Sequence, residues 1–271
     1  MTAEKKLWLI EGIPGSGKST AARKLGQTLH AQAYNEAELH PCDLAWHAVL
    51  SRAELDAFIA RHPDKERAIC ENSAVCGEQI LLAYAQLGLD GEEFARMEAR
   101  EVFNGRYAPE ELMKLMEVRW RGFAQRMTGR HIFECAFMQN PVGELMLFDD
   151  LPEEEIRKMQ LHLAGCLAGC DVKLGYLRVP SVRATLESAR AERVDDKGNP
   201  VWAEGVSQII AQSPYGRAHG LSGWEGMVRF YETRQALELR LVRAMPFPTV
   251  IADASDHERA QRELAAFFGE A

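Results

Sequence analysis

Short apolar runs alternate along the chain with stretches in which apolar residues recur at helical spacing. Five runs have the length and composition of buried strands, and they are 6–10, 30–34, 130–136, 172–179 and 247–253. Helical spacing follows the first run and the last run, over 18–29 and 257–268. Strands that alternate with helices indicate βαβ units. The pattern therefore predicts an α/β fold with a five-stranded parallel sheet flanked by helices.

Two stretches interrupt this alternation. From about 44 to 129 the apolar residues keep helical spacing, for example at Ile80, Leu81, Tyr84 and Leu87, which predicts an insertion of three or four helices. A second stretch, from about 183 to 205, contains a cluster of turn-forming residues at 195–200 and is predicted to be a lid-like segment. A chain of 271 residues is expected to form a single domain, 1–271, that carries both features.

Composition narrows the classes of protein. The chain is 46% hydrophobic and 27% charged, as in globular proteins, and its net charge of −8 disfavours a broad nucleic-acid surface. No apolar run approaches the roughly 20 residues that cross a bilayer, and no signal peptide is predicted. The six cysteines form no C-x-x-C pair, which is typical of reduced thiols in a cytoplasmic protein without zinc.

A glycine-rich segment directly follows the first predicted strand. Residues 12–19 match the pattern G-x-x-x-x-G-K-[ST] at every position. Glycines let such a loop curl so that its N–H groups point at phosphate oxygens, the lysine reaches the β- and γ-phosphates, and the serine can bind magnesium. The helix that follows aims its positive end at the same anion. We therefore predict binding of ATP with Mg²⁺ by the loop, whose residues are Gly12, Pro14, Gly15, Ser16, Gly17, Lys18, Ser19 and Thr20; the alternative is a structural glycine turn.

Three classes of phosphate-loop protein are compatible with this motif. A regulatory GTPase normally carries D-x-x-G after its third strand and a later N-K-x-D, and neither is present. A motor-type ATPase normally carries an apolar run that ends in Asp-Glu, which is also absent. A small-molecule kinase remains.

The chain resembles the small-molecule branch of P-loop kinases, which act on nucleosides, nucleotides, shikimate, gluconate or antibiotics. The matching features are the G-I-P-G-S-G-K-S-T loop, an acidic residue after the second strand, the insertion, an arginine-bearing segment after the fourth strand, and the closing V-I-A-D-A-S. Within that branch it is similar to a bacterial group with an E…HP.D element, here 36–43, and an FEC.F.QNP element, here 133–141. The resemblance implies the strand order 2-3-1-4-5.

The resemblance also implies roles for acidic residues. In such kinases an acid after the second strand accepts the proton of the attacking hydroxyl. Glu36, Glu38 and Asp43 all follow that strand, and Glu36 is preferred because it comes first, although the choice stays open. Glu134, at the end of the third strand, is expected to hold magnesium together with Ser19; contact with the acceptor or with solvent is the alternative.

Positive charge for phosphoryl transfer is expected from the segment after the fourth strand. Arg183, Arg190 and Arg193 lie there at helical spacing. We predict that Arg183 contacts the nucleotide and that Arg190 takes part in catalysis from a closing lid, although surface ion pairs with neighbouring glutamates are an alternative.

Together these features predict an ATP- and Mg²⁺-dependent phosphotransferase that moves the γ-phosphate to a hydroxyl of a small molecule such as a nucleoside, a sugar or an antibiotic. The alternatives are a nucleotide-dependent switch or ATPase that acts through a protein partner, and a polynucleotide 5′-hydroxyl kinase, which would need a basic channel. No nucleic-acid or membrane partner is expected. The acceptor, the preference for ATP over GTP and the oligomeric state stay open, a homodimer being one alternative.

Overall fold

A computed structural model describes residues 4–36 and 38–270. These residues form two sheets: five parallel strands in the order β2-β6-β1-β7-β8, and three antiparallel strands in the order β3-β5-β4. In chain order the strands are β1 (Lys5–Glu11), β2 (Gln32–Tyr34), β3 (His47–Leu50), β4 (Ser73–Cys76), β5 (Gln79–Ala83), β6 (Gly129–Glu134), β7 (Asp171–Arg178) and β8 (Thr249–Asp253).

Helices cover the parallel sheet and build much of the insertion. They are α1 (Lys18–Thr28), α2 (Arg52–Arg61), α3 (Glu66–Glu71), α4 (Gly91–Glu98), α5 (Pro109–Arg126), α6 (Gln139–Leu147), α7 (Glu153–Gly165), α8 (Val182–Glu192), α9 (Val201–Gln212), α10 (Pro214–Ala218), α11 (Gly223–Ala244) and α12 (His257–Gly269). Short 3₁₀ turns occupy Pro63–Lys65 and Ala85–Leu87. In residues 4–36 and 38–270, no helix combines the length and the apolar composition needed to cross a membrane.

The parallel sheet agrees with the sequence prediction. Counted by themselves along the chain, its five strands have the order 2-3-1-4-5, so the fold class implied by the resemblance to P-loop kinases is confirmed. β1 lies at the centre, and its residues Leu7 to Ile10 are all buried, as expected for a parallel strand that helices cover on both faces. On one face, Trp8 stacks on Phe268 of α12 with ring centroids 5.6 Å apart.

The register of the sheet determines what lies at its carboxyl edge. Ile10 of β1 is paired with Glu134 of β6, and Glu11 with Tyr176 of β7. The loop that leaves β1 therefore emerges directly beside the end of β6. In sheets of this kind ligands bind at the carboxyl ends of the strands.

The prediction of a purely helical insertion at about 44–129 is corrected by the structure. Four helices are present, but β3, β4 and β5 form a small sheet beside them, and β4 turns into β5 through Gly77, whose φ is 62°. In β5, Ile80 and Leu82 face the hydrophobic cluster of the insertion, whereas Leu81 faces the main core. A strand buried on both faces is a continuous apolar run, which periodicity does not distinguish from a helix.

The segment predicted as lid-like is largely helical. It comprises α8, a turn and the start of α9, and the Asp195 carboxylate closes the turn by accepting hydrogen bonds from the backbone N–H groups of Lys197 and Asn199 at 2.9 and 2.8 Å. The predicted turn at 195–200 is thus present. Its movement as a lid stays a prediction.

Candidate active site

The glycine-rich loop joins β1 to α1 and takes backbone conformations that favour glycine. Gly15 and Gly17 have φ values of 82° and 90°, in the left-handed region. At Gly12 the limit is space, because an added Cβ would lie 2.7 Å from the carbonyl oxygen of Leu177 on β7. The loop therefore needs glycine for its curvature and for its close approach to the neighbouring strand.

Two polar side chains of the loop are buried, and one of them has no hydrogen-bond partner among the described residues. Lys18 is only 6% exposed, and its Nζ donates to the carbonyl oxygen of Ile13 at 2.9 Å. The Ser16 hydroxyl is buried and makes no hydrogen bond with the described residues. Buried polar groups without partners are costly unless a ligand completes them. An anion held by the loop would supply a hydrogen-bond partner to Ser16 and an opposite charge to Lys18.

A cavity of about 530 Å³ opens above the loop. The loop contributes Pro14, Gly15, Gly17, Lys18, Ser19 and Thr20 to its wall. Acidic, basic, amide and aromatic side chains from other elements complete the wall, and they include Glu36, Trp46, Glu134, Gln139, Asn140, Arg193, Trp202, Tyr231 and Arg234. The fold thus brings together most of the residues that the sequence singled out.

Ser19 and Glu134 meet as the strand register requires. The Ser19 hydroxyl donates to Glu134 Oε1 at 3.0 Å, and the backbone N–H of Glu36 donates to the same oxygen at 3.2 Å. A hydroxyl and one carboxylate suit Mg²⁺, which takes few protein ligands and completes its shell with phosphate and water oxygens. No group of three or more His, Cys, Asp or Glu side chains in residues 4–36 and 38–270 is placed to hold a metal by itself. The donor set therefore fits magnesium that arrives with a nucleotide.

Of the three acids considered as base, Glu36 lines the loop's cavity and Asp43 does not. The pKa of Glu36 is raised to about 7, mainly by burial and also by the nearby Asp43 and Glu134 carboxylates. Lys18 and Arg193 oppose this shift in pKa. Glu38 is exposed, and its carboxylate lies 3.4 Å from the backbone nitrogen of Asn35. Glu36 is thus the acid in the cavity whose pKa suits proton transfer near neutral pH.

Asp43 is buried and already has hydrogen-bond partners. Its carboxylate accepts from the backbone N–H of Leu44 at 2.8 Å and from the Asn140 amide at 2.9 Å. His40 accepts from the backbone N–H of Asp43 at 2.7 Å, and Arg119 donates to the His40 carbonyl oxygen. The HP.D element therefore organises the loop after β2, and its acid is occupied there.

The three arginines predicted to act on the nucleotide or in catalysis lie in different surroundings, and one of them lines the loop's cavity. Arg183 pairs with Glu225 on α11 at 2.5 Å, and Arg190 lies over the Trp224 ring at 5.2 Å; neither is among the residues lining the loop's cavity. Arg193, which follows α8, does line it and lies 4.5 Å over Trp202. Residues on one helix stretch face several directions, so helical spacing alone does not determine which arginine reaches the site.

Arg234 on α11 is a site residue that the sequence did not suggest. It is 5% exposed, its Nε donates to Glu238 Oε1 at 2.7 Å, and its Nη2 donates to the carbonyl oxygen of Gln139. The Tyr176 hydroxyl donates to the other Glu238 oxygen at 2.6 Å. Glu238 is fully buried. This network holds a cationic side chain in the wall of the cavity. No motif marks Arg234, since it lies within a long amphipathic helix.

Glu11, directly before the loop, is a second residue that the sequence reading missed. Its two carboxylate oxygens accept from the backbone N–H groups of Phe137 and Gln139 at 2.8 and 2.9 Å, and burial raises its pKa to about 8. The end of β1 is thus tied to the segment that follows β6. The sequence signal that could have identified Glu11 was a charged residue at the end of an apolar strand.

A further cavity of about 500 Å³ adjoins the loop on the side of α8. Gly15 is shared with the loop, and the opposite walls come from Thr185 and Ala189 on α8 and from Ala254 and His257 near the start of α12. The V-I-A-D-A-S segment therefore borders the loop.

No protein-family model matches this sequence, and no curated protein matches it. Among solved structures, the chain is similar to a deoxyadenosine kinase from M. mycoides with bound dATP, at 13% identity and a TM-score of 0.42 over 97% of this chain and 100% of that one. It is also similar to a gluconokinase from Sinorhizobium meliloti 1021, at 10% identity and a TM-score of 0.38 over 98% of this chain and 93% of that one. The assignment of the fold rests on the sheet order and the loop, which are those of P-loop kinases.

Proposed function

We propose that the protein is a phosphotransferase that moves the γ-phosphate of ATP, in the presence of Mg²⁺, to a hydroxyl group of a small molecule. The observation that carries this proposal is the meeting of three groups in one cavity: Lys18, the Ser19–Glu134 pair, and Glu36. A site that only bound ATP with magnesium would need the first two of these groups. The half-buried acid beside them is the group required to accept the proton of an attacking hydroxyl.

The nucleotide is assigned to the two cavities that meet at the loop. The triphosphate lies against the loop N–H groups, Lys18 and the start of α1. The nucleoside lies in the cavity between α8 and the start of α12, beside Thr185 and His257. Ser19 and Glu134 would hold magnesium, which when bound supplies positive charge on the phosphate oxygens.

Transfer then needs little covalent work from the protein. The acceptor oxygen forms a bond to the γ-phosphorus, the bond from that phosphorus to the β–γ bridging oxygen breaks, and ADP leaves with the electron pair. The acceptor proton passes to the Glu36 carboxylate and from there to solvent. Lys18, Arg193 and Arg234 stabilise the negative charge of the transferring group.

Acceptor-dependent release of ADP tests this proposal. The purified protein with ATP and Mg²⁺ should form ADP slowly alone and faster when pooled nucleosides, sugars or aminoglycosides are added. Fast hydrolysis that no acceptor changes would contradict the proposal and favour a nucleotide-dependent ATPase or switch.

A further inference from the structure

A third cavity borders the candidate active site on the side of the insertion. It has a volume of about 610 Å³ and shares four wall residues with the loop's cavity, Ser19, Glu36, Trp46 and Glu134. The shared wall includes the proposed base, so a molecule here can present a hydroxyl to Glu36. This third cavity is called the acceptor cavity below.

The two cavities differ in the balance of charge on their walls. The wall of the loop's cavity balances three cationic groups, which are Lys18, Arg193 and Arg234, against three carboxylates, which are Glu36, Glu134 and Glu192. The acceptor cavity is lined by three carboxylates, Glu36, Glu38 and Glu134, and among its described wall residues Arg23 is the one basic side chain. An acceptor that carried a phosphate or carboxylate would therefore meet mainly like charge, whereas a cation would be attracted.

Trp46 lines both the loop's cavity and the acceptor cavity, and it has an unusual backbone conformation. It is 36% exposed, and its φ of 59° places a bulky side chain in the left-handed region, which is a genuine outlier for such a residue. Its ring packs at 52° to Phe94, also in the acceptor cavity wall, with centroids 6.4 Å apart. Aromatic rings beside carboxylates are suited to binding ammonium groups through cation–π contact.

Gln139 is a buried polar residue in the wall of the loop's cavity, which Glu36 also lines; it does not line the acceptor cavity. It is 8% exposed, and its Oε1 is buried without a hydrogen-bond partner among the described residues. A buried acceptor atom of this kind is costly unless a donor completes it. An amine or hydroxyl of a ligand near Glu36 would be such a donor.

Resting on the proposed function, we propose that the phosphoryl acceptor is a cationic, amine-bearing alcohol. Its ammonium group lies among the carboxylates and the Trp46 ring of the acceptor cavity, and its hydroxyl faces Glu36. Glu38 is the wall carboxylate that neither the magnesium site nor proton transfer uses, and it is assigned to the ammonium group.

Matched phosphoryl acceptors that differ in charge test whether the site prefers a cationic acceptor. Glucosamine, glucose and glucose 6-phosphate form one set, choline and its neutral isostere 3,3-dimethyl-1-butanol a second, and adenosine represents a neutral aromatic alcohol. ADP formation is measured with ATP and Mg²⁺, and binding is measured by calorimetry with Mg²⁺ and the non-hydrolysable analogue AMPPNP. We expect kcat/KM to be about tenfold or more higher for an amine than for its neutral partner, the size of one desolvated cation–aromatic contact.

Three variants assign this preference to the cavity. Glu38→Gln should raise the KM for the amine several-fold and leave AMPPNP affinity unchanged, because Glu38 does not line the loop's cavity. Trp46→Leu should raise the same KM, and Trp46→Phe should restore part of the loss. Glu78→Gln, the same chemical change on the exposed β4–β5 turn of the same insertion, should keep the full preference.

The possible failures are distinguishable. Equal or better use of a neutral or phosphorylated acceptor overturns the cationic class while the kinase stands. Failure of both amines to bind when AMPPNP does bind overturns it as well and leaves the nucleotide site intact. Failure of AMPPNP itself to bind removes the proposed function, and this inference with it.

Discussion

Replacing Arg234 by methionine should damage the protein in two separable ways. The methionine removes the guanidinium from the cavity and leaves the fully buried Glu238 carboxylate with the Tyr176 hydroxyl as its remaining partner. Breaking a buried ion pair from one side typically costs about 3–5 kcal/mol, because an uncompensated charge stays buried. That is a large part of the roughly 5–15 kcal/mol by which domains are stable. The loss of one preorganised cation should also lower kcat by roughly 10² to 10³.

A double variant separates the two effects. In Arg234→Met/Glu238→Gln the buried charge is gone, and the Tyr176 hydroxyl can still donate to the glutamine amide oxygen. The free energy of unfolding, measured by urea denaturation, should recover most of the loss, whereas ADP formation with the best acceptor should stay as low as in the single variant. Recovery of turnover together with stability would refute the assignment of Arg234 to the transferring phosphate and leave it a structural role.

Three further changes test other parts of the site. Lys18→Ala should lower turnover by at least about 10² while circular dichroism shows an intact fold, and wild-type rates would remove the loop from the mechanism. Glu36→Gln should keep AMPPNP affinity and lower the transfer rate by roughly 10² to 10⁴, whereas Asp43→Asn should act mainly on stability; the reverse result would show that the base is Asp43. Raising the pH from 6.5 to 8 should lower the free energy of unfolding, because burial raises the pKa of Glu11 to about 8 and that of Glu144 to about 7. Over that window the folded state binds more protons than the unfolded state, which costs up to about 2 kcal/mol for Glu11; denaturation that shows rising stability would contradict this.

The sequence by itself determined the parts of this protein that depend on local structure. The loop between β1 and α1 was predictable because its glycines, lysine and serine serve one chemical purpose at fixed spacing. Placing Glu134 beside Ser19 also followed from the sequence, since the ends of parallel strands meet at one edge.

Tertiary structure decided which side chains of each strand or helix face a hydrophobic core and which face the candidate site. β5 is a strand because it lies between two cores, with Leu81 towards one and Leu82 towards the other, and an apolar run does not reveal that. Arg190 and Arg193 are three residues apart, yet only Arg193 lines the loop's cavity. Arg234 enters the site from a helix far along the chain, held by Glu238. Contacts between residues distant in sequence leave no local pattern, so they become visible only when the chain is folded.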